Sequence, residues 1–228
     1  MAFDHGVPSV GSMPTAIVTG ASRGLGRALA IGLADAGWTV IGDGRTIDTI
    51  DGITTVRGDI RDPAHRAALL SAAKRLDLLV NNAGILGPSP QPSLADYPLS
   101  TLRDVFEVNV FAPLALTQLA LPQLRLSGGA VVNVTSDAAV EAYEGWGGYG
   151  AAKAAVEQAS HVLAAEEPGL RVWWTDPGDL RTQMHQEAFP GEDISDRPLP
   201  ETVVPAFLRL VWDRPPSGRV RLAELAVA

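Results

Sequence analysis

Short runs of β-branched and other apolar residues alternate along this chain with longer segments in which apolar residues recur every three or four positions. The short runs predict buried strands, at 15–20, 38–42, 53–58, the first part of 77–84, 129–136, 170–175 and 218–225. The longer segments between them predict helices, at 25–37, 62–76, 99–125, 149–166 and 201–212. Strands that alternate with helices in this way indicate an α/β fold, built on a parallel sheet with helices on both faces.

The residues at the ends of these segments agree with the pattern. Gly37 follows the first helix, where a C-terminal glycine belongs, and Asp62 and Pro63 are suited to the start of the second. Pro113 predicts a kink or a junction inside the third helix. The segment 183–200 is rich in acidic residues and proline, and we expect it to be irregular.

The composition fits one compact domain. The chain has 228 residues, of which 46% are hydrophobic and 19% are charged, and an α/β domain of this size need not divide. We assign residues 14–228 to the domain and residues 1–13 to a flexible N-terminal tail. The sequence has no cysteine, which excludes disulfides, cysteine zinc ligands and a cysteine nucleophile. We predict no metal site.

Charge and hydropathy narrow the class of protein further. The formal net charge is −8, which disfavours broad nucleic-acid binding because such binding needs a basic surface. The N-terminal residues lack the basic and apolar regions of a signal peptide, and no continuous apolar run reaches the roughly 18 residues that span a membrane. These observations predict a cytoplasmic protein that binds neither nucleic acid nor membrane.

The motif TGASRGLG, residues 19–26, places three glycines between the first strand and the first helix. Glycines at 20, 24 and 26 would let the backbone turn sharply and approach a pyrophosphate, which the helix N-terminus attracts. The spacing G-x-x-x-G-x-G differs from the commoner G-x-G-x-x-G. Alone, the motif is equally compatible with a plain tight turn, but its position after the first strand favours a phosphate site.

In its further motifs the chain resembles the short-chain dehydrogenase/reductase family, in its single-domain branch. GDI at 58–60, NNAG at 81–84, PG at 177–178 and SGRVRLAEL at 217–225 follow the glycine turn in that family's order. The resemblance runs from about residue 14 to the end. It implies a Rossmann-type, doubly wound parallel sheet, and an oxidoreductase that interconverts a carbonyl compound (ketone or aldehyde) and an alcohol with a nicotinamide cofactor.

The resemblance also implies which residues hold the cofactor. Asp59 matches an aspartate that contacts the adenine, NNAG lines the cofactor cleft, and the loop after Gly178 closes over the nicotinamide. The complete predicted set is Gly20, Ser22, Arg23, Gly24, Leu25, Gly26, Arg45, Asp59, Ile60, Asn82, Ala83, Gly84, Tyr149, Lys153, Pro177, Gly178 and Thr182.

Four residues match the family's catalytic set: Asn109, Ser136, Tyr149 and Lys153. Tyr149 and Lys153 are four positions apart, hence on one helix face. A nearby cation lowers the pKa of a phenol, which suits general acid–base catalysis. The resemblance implies that Lys153 also holds the nicotinamide ribose, that Ser136 polarises the substrate carbonyl, and that Asn109 holds a water of the proton relay.

Each member of this set also has a purely structural interpretation. Tyr149 and Lys153 would fit a surface contact, Ser136 could simply end a strand, and Asn109 could satisfy the backbone near a helix kink. The catalytic interpretation is favoured because Ser136 ends a predicted strand thirteen residues before Tyr149. Alternation along VVNVTS turns Thr135, the neighbouring hydroxyl, to the other face of the sheet.

The residues after the second strand favour NADP(H) over NAD(H). An acidic residue there binds the ribose 2′-hydroxyl of NAD, whereas arginine binds the 2′-phosphate of NADP. In VIGDGRT, residues 40–46, the family's register puts Gly44 at the acidic position with Arg45 after it, and Arg23 is a second cation. A shift of one residue would make Asp43 an NAD-type acid, so NAD(H) stays possible.

For the substrate, we expect an apolar pocket suited to a neutral or aromatic carbonyl compound. Trp146 could form one wall and His185 could add a donor. Tyr143 has a glycine rather than a lysine four positions later, which places it in this pocket rather than in the proton relay. The candidate lining residues are Leu86, Tyr143, Trp146, Met184, His185 and Phe189.

Partners and alternative functions follow from the same resemblance. Family members usually associate through two long helices, which implies a homodimer or homotetramer through 99–125 and 149–166. The alternatives are an NAD-dependent alcohol dehydrogenase of the same family, a non-catalytic dinucleotide sensor or scaffold, and an epimerase or dehydratase. Tyr149 argues against a pure binder, and epimerases and dehydratases of the family usually carry an additional C-terminal domain for which 228 residues leave no room.

Overall fold

Seven parallel strands form the centre of the protein. In the computed structural model, which describes residues 13–225, they are β1 (Thr15–Val18), β2 (Thr39–Gly44), β3 (Ile53–Arg57), β4 (Leu78–Asn81), β5 (Ala130–Val134), β6 (Arg171–Asp176) and β7 (Gly218–Arg221). Their order across the sheet is β3-β2-β1-β4-β5-β6-β7, and every neighbouring pair is parallel. The predicted doubly wound sheet is confirmed. Of the predicted tail, residues 1–12 lie outside the described part of the chain.

The helices connect the strands and cover both faces of the sheet. They are α1 (Gly24–Asp35), α2 (Pro63–Ala72), α3 (Leu99–Phe106), α4 (Ala112–Ser127), α5 (Gly147–Glu166), α6 (Gln183–Ala188), α7 (Val204–Asp213) and α8 (Leu222–Leu225). Asp62 caps α2 as its sequence predicts, since its side chain accepts a hydrogen bond from the Ala64 N–H at 2.8 Å.

Two hydrophobic clusters lie on opposite faces of the sheet. On one face, Leu29 of α1 and Phe207 of α7 pack with Trp173 of β6. On the other face, Leu69 of α2 and Leu116 of α4 belong to the second cluster. All five side chains are almost completely buried, as expected for a sheet that is covered on both faces.

The strand order reverses between β1 and β4. The chain runs outward from β1 through β2 to β3, and then returns to place β4 on the other side of β1. The turns that follow β1 and β4 therefore separate at the carboxyl edge of the sheet. Doubly wound sheets bind their ligands in the crevice that opens at this point.

Four predicted elements differ in detail. The predicted helix 62–76 ends at Ala72, because Ala73 is in an extended conformation. The predicted helix 99–125 is divided by a π-helical turn, Glu107–Phe111, and Pro113 lies directly after this turn, at the start of α4. The segment 183–200 was predicted to be irregular, which is wrong for α6, whose first turn Thr182 caps. The last strand stops at Arg221 because Leu222 turns into the core, where it is 1% exposed.

The helical stretch Leu99–Ser127 is long and apolar enough to cross a membrane by length and composition, with a mean hydropathy of 1.4. It reaches this value without a continuous apolar run, which is why the sequence pattern alone did not identify it. Leu116 and Leu124 are completely buried against the sheet, as in a core helix. Its outer face exposes Phe111, Leu114, Leu119 and Leu126.

Candidate active site

A cleft of about 400 Å³ lies at the carboxyl edge of the sheet, at the reversal of strand order. The turn after β1 forms one wall, and the loops after β2 to β6 and the start of α5 complete it. Every residue that the sequence assigned to the cofactor lines this cleft, from Gly20 to Thr182. The fold thus brings the whole predicted set to one place.

The glycine-rich turn is shaped by close backbone contacts. Gly20 and Gly24 have φ angles of +68° and +55°, which favour glycine. A Cβ at Gly26 would collide with the Asn82 side chain and the Gly20 carbonyl. No described side chain caps α1, so the N–H groups of its first turn are available to an anion. The residues present therefore fit a dinucleotide pyrophosphate.

The NNAG segment supports this turn from the other side of the cleft. The Thr19 hydroxyl accepts hydrogen bonds from the N–H groups of Asn82 and Ala83, at 2.9 and 3.0 Å. The Asn82 amide in turn donates to the Thr19 carbonyl at 2.8 Å. These contacts hold the turn after β1 against the loop after β4, so the two walls of the cleft keep a fixed separation.

The acidic residue of β2 borders the cleft but is almost completely buried. Asp43 is 1% exposed; its Oδ1 accepts from the Gly20 N–H at 2.6 Å and its Oδ2 lies 2.9 Å from Nε2 of His65. Both carboxylate oxygens therefore already have hydrogen-bond partners. This counts against the alternative alignment, in which Asp43 binds the ribose 2′-hydroxyl of NAD. Arg45 and Arg23, by contrast, are exposed residues on the cleft wall.

Tyr149 and Lys153 lie together on the first turns of α5. Both are buried, at 7% and 5% exposure, and both line the cleft. The Lys153 ammonium lies 5.5 Å from the centre of the Tyr149 ring and donates to the Val134 carbonyl at 2.7 Å. The pair is therefore not a surface contact, because the floor of the cleft encloses it.

The protonation of this pair differs from the sequence prediction. We expected Lys153 to lower the pKa of Tyr149, but the pKa is raised, because burial disfavours the phenolate and because the carboxylates of Asp137 and Asp176 repel it. Burial also lowers the pKa of Lys153 to about 8. The buried phenol therefore keeps its proton at neutral pH.

Ser136 follows β5 and lies on the cleft wall. Its hydroxyl donates to Oδ1 of Asp137 at 2.9 Å and accepts from the Ala138 N–H at 3.2 Å. The Thr135 hydroxyl instead donates to Glu157 at 2.8 Å, as the predicted alternation requires. Ser136 is therefore the hydroxyl of this strand end that faces the cleft.

Asn109 lies behind the cleft wall, in the middle of the π-helical turn. Its side chain accepts from the Ile85 N–H at 2.9 Å and donates to the Ile85 carbonyl at 2.8 Å. Both halves of the buried amide thus fix the loop after β4. The sequence left open a structural role for Asn109, in which it would satisfy the backbone near a helix kink. Asn109 does bind backbone groups, but they belong to Ile85 in the loop after β4.

Sequence reasoning missed four acidic residues of the cleft, Asp104, Asp137, Asp176 and Asp179. Two of them, Asp137 and Asp176, carry charge that acts on Tyr149. Asp137 accepts a second hydrogen bond, from the Tyr143 hydroxyl, at 2.9 Å. Asp176 is 5% exposed; it accepts from the Gly178 N–H at 3.0 Å and pairs with Arg219 at 3.1 Å. The positions of these two in the sequence could have identified them, because Asp137 directly follows Ser136 and Asp176 directly precedes the PG motif.

Four of the predicted substrate residues line the cleft, and two do not. Leu86, Trp146, Met184 and His185 belong to its wall. Tyr143 was predicted to line the pocket but is 46% exposed, because its hydroxyl turns to Asp137. Phe189 lies behind the wall, where its ring packs 6.0 Å from that of Trp146. Tyr143 and Phe189 therefore support the wall rather than form it.

The fold and the cleft define a Rossmann-type dinucleotide-binding protein. The family model for short chain dehydrogenases matches residues 14–193. The oxidoreductase YciK of Escherichia coli K12 is 35% identical over 219 residues, which cover 86% of this chain and 85% of YciK. The chain belongs to the short-chain dehydrogenase/reductase family and is an enzyme of it.

Two further relatives show what members of the family bind or act on. Serine 3-dehydrogenase of Agrobacterium fabrum is 34% identical over 185 residues, covering 75% of this chain and 73% of that protein. The structure of a short chain dehydrogenase from Escherichia coli CFT073 complexed with NADPH superposes with a TM-score of 0.83 at 31% identity, covering 92% of this chain and 96% of the other.

Proposed function

We propose that this enzyme is an NADP(H)-dependent oxidoreductase that interconverts a ketone or aldehyde and an alcohol. The observation that carries the proposal is the convergence of Ser136, Tyr149 and Lys153 on the cleft that the glycine-rich turn also lines. A protein that only bound a dinucleotide would gain nothing from a buried phenol there.

Tyr149 would serve as the proton donor in the reduction. Its phenol is protonated at neutral pH, as an unperturbed phenol also is, so it has a proton to donate to the carbonyl oxygen as negative charge develops. The raised pKa makes this phenol a weaker acid than a free tyrosine. Ser136 would rotate its hydroxyl from Asp137 towards the same oxygen and stabilise that charge. When bound, the nicotinamide supplies the hydride that the carbonyl carbon receives.

Lys153 would stabilise the phenolate that Tyr149 becomes once it has donated its proton. The ammonium lies close to the ring, and its pKa of about 8 suits it to returning a proton to Tyr149. It would also bind the ribose hydroxyls. For Asn109 we propose the water-holding role of the family; because Ile85 engages both halves of its side-chain amide, its backbone would have to hold that water.

The preference for NADP(H) rests on charge at the adenosine end of the cleft. Arg45 is exposed there and available to a 2′-phosphate. Arg23 is also an exposed residue of the cleft wall, and its guanidinium donates a hydrogen bond to Gln183. Asp43 also borders the cleft, but its two carboxylate oxygens already have partners in the Gly20 N–H and His65. The relative solved with NADPH agrees with this preference.

The substrate end combines apolar walls with a carboxylate. Leu86, Trp146 and Met184 provide the apolar surface, and Asp137 lies beside the reacting hydroxyls. A negative charge at this position repels an anionic substrate. A neutral carbonyl compound, including an aromatic one, is therefore the substrate class that fits.

For the assembly, we propose a cytoplasmic homodimer or homotetramer through the helical stretch 99–125, which includes most of α4, and the helix 149–166 of α5. The outer face of α4 exposes Leu114, Leu119 and Leu126, and α5 exposes Val162. Apolar side chains grouped on one surface are typical of an association site. Light scattering of the wild type would show the mass of two or four chains. The double variant Leu119→Glu, Val162→Glu would have the mass of a single chain. A monomeric wild type would contradict the assembly.

A screen of NADPH consumption over aldehydes, ketones and carboxylated ketones tests the function directly. We expect turnover of neutral carbonyl compounds and little turnover of their anionic counterparts. Binding of NADPH without turnover of any compound would instead support the dinucleotide sensor. Equal turnover of neutral and anionic ketones would contradict the role given to Asp137 in substrate choice.

A further inference from the structure

A buried aspartate–histidine pair links the segments that line the adenosine and phosphate part of the cleft. Asp43 lies in β2 and His65 in the first turn of α2. Their side chains are only 2% and 5% exposed, and Nε2 of His65 lies 2.9 Å from Oδ2 of Asp43. The reaction proposed above uses neither side chain, so the pair requires its own explanation.

Asp43 holds two successive N–H groups of the glycine-rich turn. Its Oδ1 accepts from Gly20 at 2.6 Å, and its backbone carbonyl accepts from Ala21 at 2.7 Å. On the opposite side of the turn, a Cβ at Gly20 would come within 2.9 Å of the Ala83 Cα. The turn is thus held between β2 and the loop after β4.

His65 extends this contact to the adenine side of the cleft. Its imidazole packs directly on Gly58, where an added Cβ would collide with the ring. Gly58 donates from its N–H to the Gly44 carbonyl at 3.2 Å and immediately precedes Asp59, the residue assigned to the adenine. One hydrogen-bonded pair therefore connects the phosphate turn with the loops after β2 and β3.

Stability alone does not account for a carboxylate at this position. A buried carboxylate loses its hydration, and burial raises the pKa of Asp43 accordingly. Buried ion pairs are often no more stable than apolar side chains of similar volume. What the carboxylate provides, and an apolar side chain would not, is an acceptor for the Gly20 N–H.

We propose that Asp43 and His65 are positioning residues for NADP(H), which together hold the glycine-rich turn and Gly58 in the arrangement that receives the phosphates and the adenosine. The inference rests on the proposed function. Because the pair acts on the cofactor site and not on the reacting atoms, it governs cofactor affinity and leaves the chemical step unchanged.

The test is a fluorescence titration of NADPH on the full chain. Asp43→Ala removes the acceptor for Gly20, and we expect roughly tenfold weaker binding, with KM for NADPH raised and kcat at saturating NADPH nearly unchanged. Asp43→Asn keeps an acceptor for Gly20 and should restore most of the affinity. His65→Phe keeps a ring on Gly58 but loses the hydrogen bond, and should fall between Asp43→Ala and the wild type.

Asp77→Ala is the matched control, with the thermal midpoint measured for every variant. Asp77 accepts from the Thr15 N–H at 3.0 Å, so it makes the same kind of bond at the opposite end of β1. We expect Asp77→Ala to lower the midpoint without weakening NADPH binding. Equal weakening by Asp77→Ala would overturn the inference, and so would unchanged affinity in His65→Phe, a variant that retains the ring. If the wild type itself bound no NADPH, the proposed function would fail first.

Discussion

The carboxylate of Asp137 accepts a hydrogen bond from the Ser136 hydroxyl at 2.9 Å. The same carboxylate is one of the two negative charges that raise the pKa of Tyr149. A single acidic side chain therefore acts on the residue proposed to polarise the substrate and also on the proposed proton donor.

Asp137→Asn should lower the pKa of Tyr149, because it removes a negative charge that disfavours the phenolate. Alcohol oxidation needs the phenolate, so its rate should rise at a lower pH than in the wild type. The pH dependence of kcat/KM for oxidation measures this shift. Asp179→Asn removes another cleft carboxylate, one that is not among the charges acting on Tyr149, and should leave the profile in place.

Tyr149→Phe should reduce turnover by roughly a hundredfold or more, the usual contribution of a positioned acid. NADPH affinity should change little, because the ring that packs against Trp146 is retained. Steady-state kinetics and a parallel NADPH titration separate the two effects. Tyr143→Phe is the control and should keep most of the activity, since its phenol lies outside the cleft wall. Wild-type turnover in Tyr149→Phe would exclude it as the proton donor.

Arg45→Ala should weaken NADPH binding by about tenfold or more, since a charge-assisted hydrogen bond to the 2′-phosphate is lost. NADH has no such phosphate and should bind as before. Both affinities are measured by titration, beside Arg75→Ala, a control at the other end of the sheet where Arg75 pairs with Asp77. Wild-type protein that bound NADH as tightly as NADPH would refute the assignment of Arg45.

Lys153→Met should change how stability depends on pH. Burial lowers the folded pKa of Lys153 from 10.5 to about 8, so the unfolded chain binds more protons than the native protein above about pH 8. The free energy of unfolding of the wild type should therefore increase as the pH rises from about 8 to about 10. The free energy of unfolding of the variant should not show this increase. Urea unfolding across that range would detect it, and parallel slopes for the two proteins would contradict a buried, titrating lysine.

Local patterns determined a large part of this protein. The alternation of strands and helices predicted the parallel sheet, because buried strands and amphipathic helices have distinct periods. The i, i+4 spacing placed Tyr149 and Lys153 on one face of α5, and the alternation along β5 separated Thr135 from Ser136. The glycines at 20, 24 and 26, between the first strand and the first helix, likewise predicted the phosphate turn.

Only the tertiary structure decided the electrostatics. The charge of Lys153 was visible in the sequence, but the burial and the carboxylates that raise the pKa of Tyr149 arise where α5, β5 and β6 meet. Whether the Asp43 carboxylate could bind a ribose hydroxyl depended on its contact with His65, 22 residues further along the chain. The position of Phe189 likewise depended on packing against Trp146. These properties depend on which distant side chains come together in a medium of low dielectric constant, and local sequence patterns do not record that.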